Sequence, residues 1–102
     1  MSKIKLPNLK CKVANLYNKN QFIIELTTNN KDYLIFQSYR SEIAIYCYDT
    51  RKLYINEYYI NYSKTTSKHL YIFINEFTPF SVHNLNELKQ SIKDNQITTY
   101  KR

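Results

Sequence analysis

The chain has 102 residues, a net charge of +7 and no glycine. The lack of glycine excludes the Gly-rich phosphate loop, the dinucleotide fingerprint and the nucleophile elbow, which need positive φ or close backbone approach. No apolar run reaches the ~20 residues that cross a bilayer, so one domain with its own core and no membrane contact is expected.

The N-terminus, "MSKIKLPNLK", has lysines but no apolar segment of signal length. With two isolated cysteines, Cys11 and Cys47, this points to a reducing cytosol. Both are expected as free buried thiols, and no CxxC or HxxxH spacing offers a metal site. No cofactor is expected.

After Pro7, "LKCKVANLY" reads as an extended segment, with helix as the alternative. "QFIIELTT" and "DYLIFQSY" are β-rich runs around Asn29-Asn30-Lys31-Asp32, where asparagine replaces glycine in a hairpin turn. "EIAIYCYD" and "KLYINEYY" repeat the pattern around Asp49-Thr50-Arg51. Ile43, Ile45 and Cys47 alternate with Ala44, Tyr46 and Tyr48, giving one aliphatic and one aromatic face. The period then changes: Leu70, Phe73, Ile74 and Phe77 form a helical stripe that Pro79 stops. Leu85, Leu88 and Ile92 make a second, with Glu87 early and Lys89 and Lys93 late.

The expected fold is α+β: an antiparallel meander of four to five strands, then two C-terminal helices packed on one face. The expected layout is a single domain over 1–102. It has a basic arm over 1–10, the meander over 11–60, the helices over 63–95 and a basic tail over 96–102, which adds a short strand or stays loose.

The charge is uneven. Residues 1–20 carry Lys3, Lys5, Lys10, Lys12 and Lys19 and no acid, and Lys101 and Arg102 close the chain. Residues 21–100 carry eight basic and eight acidic side chains, so the body is electroneutral. Basic ends lying side by side would make one patch for phosphate or an acidic surface; otherwise they are solvated tails.

"YSKTTSKH", residues 62–69, holds the densest polar cluster. Ser63 is placed to cap the first long helix, with Thr65, Thr66 and Ser67 in its first turn. Threonine forms helix poorly, so these hydroxyls exceed what a cap requires. With Lys64, Lys68 and His69 they suit a phosphate, a carboxylate or a partner; a self-satisfied helix start is the plainer alternative. Tyr46, Tyr48, Tyr54 and Tyr58 are candidates for stacking on bases. Ile, Asn, Lys and Tyr all have AT-rich codons, which alone accounts for many of the eleven tyrosines.

Residues 38–77 resemble a family of small bacteriophage proteins without an assigned reaction. The pattern is Ser-Tyr-x-Thr-x-Ile-Ala, a turn, then Tyr-Ser-x-Thr-Thr-Ser-Lys-His. Here it falls on Ser38, Tyr39, Ser41, Ile43 and Ala44, then on Tyr62, Ser63, Thr65, Thr66, Ser67, Lys68 and His69. Ser41 stands where threonine is more usual. The resemblance implies a phage-type origin, the cytoplasm of a bacterial host cell, and an approach of Ser38–Ser41 to Ser63–His69. Tyr39 and Arg40 join the candidate site on that ground.

The acids have no spacing for paired-carboxylate hydrolysis, and the "ELK" at 87–89 sits on a helical stripe rather than a strand. A non-enzyme is expected. The first reading is a phage-type inhibitor of host machinery, anti-CRISPR-like, that binds a host defence or regulatory complex, protein or ribonucleoprotein. The alternative is a small basic nucleic-acid or nucleotide-binding module that uses the tyrosines, the helix start and the basic termini. Monomer and homodimer are both open.

Overall fold

The computed structural model describes residues 10–16 and 19–101. Lys3, Lys5, Pro7 and Arg102 lie outside them. The described residues form six strands, β1 (Lys10–Asn15), β2 (Gln21–Thr28), β3 (Lys31–Ser38), β4 (Ser41–Cys47), β5 (Lys52–Asn56) and β6 (Ile97–Tyr100). A 3-10 turn over Glu57–Tyr59 leads into α1 (Lys64–Phe77), and α2 (Leu85–Lys93) follows. All six strands join one sheet in chain order.

β1 to β5 are an antiparallel meander, and the segment open to helix is the edge strand β1. The expectation of four to five strands falls one short. The "ITTY" tail is a strand, and it pairs parallel to β5. A parallel neighbour needs a long crossover, and α1 with α2 supplies it.

Without glycine, the turns draw on asparagine. Asn29 and Asn30 both take positive φ (52° and 65°), closing β2 on β3 with the primed turn that suits twisted strands. Asn61 and Asn95 adopt the same region after the 3-10 turn and after α2. Tyr39 and Arg51 do so as well, at φ 54° and 58°, where a Cβ is costly.

Ser63 caps α1: its Oγ accepts from the Thr66 amide at 3.0 Å. The stripe of α1 buries Leu70, Phe73 and Ile74 against the sheet, and Phe73 stacks on Phe36 at 5.6 Å. Phe77, fourth in the stripe, is 37% exposed. Thr78 is extended before Pro79, as the proline ring requires, and ends the helix. Asn75 pins the link to α2 by donating to the Val82 carbonyl and accepting from its amide. Asn84 caps α2, which buries Leu88.

The core lies between the helices and one face of the sheet, with Ile23, Leu34, Phe36, Ala44, Tyr46, Leu53, Ile55 and Ile97 pointing inward. A bulge sets which residues of β4 join it. Phe36 pairs with Ala44 and Gln37 with Glu42, so Ile43 is one residue extra. Ile43 and Ala44 are both buried, and the alternation after them sends Tyr46 into the core. The aromatic face of β4 therefore turns into the core at Tyr46, while Tyr48 beyond the strand stays exposed. Ile45 and Tyr54 occupy the other face of the sheet, which no described helix covers.

Lys10 and Lys101 do not share a patch. Lys10 starts one edge strand and Lys101 follows the other, and the strand directions put them at opposite ends of the sheet. Of the two cysteines, Cys47 is buried as expected, whereas Cys11 is exposed on the edge strand. Two strands separate them, about 14 Å, beyond the reach of a disulfide.

Candidate functional site

β3 passes to β4 through the two-residue turn Tyr39–Arg40, and β5 passes through the 3-10 turn to the start of α1 at the same end of the sheet. The turn after β5 is organised locally. Asn56 Oδ1 accepts from the Tyr58 amide at 3.2 Å, and Asn56 Nδ2 donates to the Glu42 carbonyl at 3.0 Å. That crosslink holds the tyrosines that follow. Tyr58, Tyr59 and Tyr62 pack as a cluster, with ring centroids 4.9 to 5.7 Å apart.

A cleft of about 430 Å³ opens between these segments. Ser38, Tyr39 and Ser41 come from the β3–β4 turn, Tyr59 and Tyr62 from the 3-10 turn, and Ser63, Thr65 and Thr66 from the start of α1. Every residue lining it carries a hydroxyl, and none carries a charge. Tyr59 donates to Ser41 Oγ at 2.6 Å, and Ser63 donates to Thr66 Oγ1 at 3.0 Å. Tyr39 and Tyr62 frame the mouth, 62% and 57% exposed. A bulky residue at positive φ costs about 1–2 kcal/mol, and Tyr39 bears it at the rim. One strand behind the cleft, paired with Ser38, lies Gln21, whose buried Oε1 has no hydrogen-bond partner among the described residues.

The other candidates divide among separate places. Arg40 and Tyr58 line a neighbouring hollow with Glu42 and Asn56, on the far side of the Tyr59–Ser41 bond. Lys64, Ser67 and Lys68 face a groove along α1 with Tyr71, Glu76 and His83. Burial pushes the Tyr71 phenol above its ordinary value, and a hydrogen bond with Ser67 opposes that shift. The two lysines line that groove, and Thr65 and Thr66 line the cleft. His69 is buried and bonds through Nδ1 to the Thr65 carbonyl at 2.8 Å, so it braces the first turn rather than lining the cleft.

The four tyrosines proposed to stack on bases do not share a surface. Tyr46 is in the core, Tyr54 is on the uncovered sheet face and Tyr58 is at the cleft end. Tyr48 lies near the opposite end of the sheet with Glu25 and Asp32. Its phenol is raised by partial burial first, then by those carboxylates, surroundings that repel phosphate. Sequence reasoning missed Tyr59 as a lining residue. Its signal was present: tyrosines at 58, 59 and 62 in a turn fall where three rings meet.

Neither the curated proteins nor the solved structures contain a match to this chain. A family model does match, and it spans residues 4–96, so both halves of the cleft lie inside it. The chain belongs to the family of unknown function DUF8033.

Proposed function

We propose that this protein is a non-enzymatic binding module that engages a macromolecular partner at the hydroxyl-lined end of the sheet. Its role is that of a phage-type inhibitor that occupies a host defence or regulatory complex, in the manner of an anti-CRISPR protein. One observation carries the binding reading. Segments 38–41 and 59–66, far apart in sequence, line one cleft whose hydroxyls exceed what capping uses. An uncharged, hydroxyl-rich cleft framed by tyrosines suits a polar protein surface, because tyrosine offers rigid amphipathic contact area. The phage and host parts of the reading rest on the sequence pattern alone. Against the nucleic-acid alternative, Tyr46, Tyr48, Tyr54 and Tyr58 do not lie on one face, and Lys10 and Lys101 stand at opposite ends of the sheet.

The test is capture from bacterial lysate, with and without nuclease, by the wild-type chain and by Tyr39→Ala/Tyr62→Ala. The expected result is a protein partner that survives nuclease and moderate salt and is lost with the double variant. Recovery of nucleic acid alone, falling steeply with salt, would overturn the reading.

A further inference from the structure

We infer that the uncovered face of the sheet is the interface of a homodimer, its occupant being a second copy of this chain. The inference stands on that face alone and does not use the cleft. A sheet with one wet face alternates apolar and polar residues, whereas a sheet buried on both faces reads as continuous apolar runs. β2 to β5 read as the second kind. Across the uncovered face runs an in-register row of Val13, Ile24, Ile35, Ile45 and Tyr54. Leu26 and Tyr33 flank it on one side and Phe22 on the other. None of these is buried in the chain by itself, and Val13 is 60% exposed.

The area is that of a stable contact. Six strands are about 29 Å across, and their average length of about six residues is about 20 Å. The face therefore measures on the order of 600 Å² before corrugation, near the roughly 800 Å² per partner of a standard interface.

Charge favours a second copy over a foreign chain. The apolar row carries no charge, and the charges flanking it on β4 and β5 have opposite signs. Glu42 lies near the end of β4 next to the cleft, its carboxylate held by the Tyr100 hydroxyl at 2.8 Å. Lys52 opens β5 at the other end. A two-fold axis lying along the apolar row, between face-to-face sheets, exchanges the strand ends. It seats Ile35 and Ile45 on their own counterparts and brings Lys52 of one copy within one strand of Glu42 of the other. Such a contact is isologous and closes at two copies. It leaves two clefts at opposite ends of the dimer, so the assembly is bivalent.

Sedimentation equilibrium on the full chain, from about 1 µM to about 300 µM, tests this. The expected result is a mass of twice 12.4 kDa over most of that range. Ile35→Lys should weaken association by at least about tenfold, one decade being about 1.4 kcal/mol, with an unchanged far-UV spectrum. Should that variant fail to fold, the rim charges decide. Glu42→Lys should weaken the dimer, and adding Lys52→Glu should restore it. A monomer throughout the range, a dimer indifferent to both sets of changes, or a monomer that holds a foreign protein on Ile35 and Ile45 would overturn the inference.

Discussion

The two faces of the sheet are both apolar, yet they have different fates. The face under α1 and α2 holds Phe36, Leu53 and Ile55 with no exposure at all. The opposite face holds Ile24, Ile35 and Ile45 at intermediate exposure, though their chemistry is the same. Residue type therefore does not tell the faces apart. What distinguishes them is the helical stripe of Leu70, Phe73 and Ile74, which has only one place to go. The lesson is that an alternation read along one strand shows two faces without saying which one will be covered, or by what.

The largest expected effect lies under the helices. Phe73→Ala removes the ring stacked on Phe36 and should cost about 3–5 kcal/mol in denaturant unfolding, as aromatic truncations in closed cores do. Ile35→Ala on the other face, measured under dilute monomeric conditions, should cost well under half of that. Equal losses would erase the contrast between the faces.

The cleft sharpens the comparison, because it sits where the covered face ends. Tyr39→Gly relieves a positive φ and should stabilise the fold by about 1 kcal/mol, while partner capture is lost. Ser63→Ala should cost about 1 kcal/mol through the missing cap. Thermal unfolding read beside capture separates the two roles. A destabilised Tyr39→Gly would mean that the ring supports the fold rather than a contact.

The smallest effect concerns α2. The Glu87 carboxyl is held below its ordinary value of 4.5, first by the His83 amide and then by the His83 ring. A carboxyl lowered on folding adds stability that is present above its unfolded value and lost as pH falls through the folded one. The first turn of α2 should therefore loosen as pH drops below about 4.5. Hydrogen exchange at the Leu88 amide reads this, and Glu87→Gln should remove the pH dependence.

Much of the fold was legible because it is local. Ser63 as cap, the Asn29–Asn30 turn and the helical stripes each depend on residues within one turn or hairpin. The bulge at Ile43 was not legible, since one inserted residue moves every later side chain to the other face. That slip is why Tyr46 is in the core. β6 was read only as an option, because a four-residue edge strand is decided by its distant neighbour β5. At the site, the hydroxyl surplus near Ser63 and the partnership with Ser38–Ser41 were visible. The departure of Lys64, Ser67 and Lys68 to another groove was not, because it depends on how α1 is rotated over the sheet.

The most direct measurement compares isoleucine methyl groups on the two faces by solvent paramagnetic relaxation at high protein concentration. The account predicts that Ile35 and Ile45 are shielded as well as Ile43 and Ile55, and that dilution exposes the first pair alone. Strong relaxation of Ile35 and Ile45 at every concentration would contradict it.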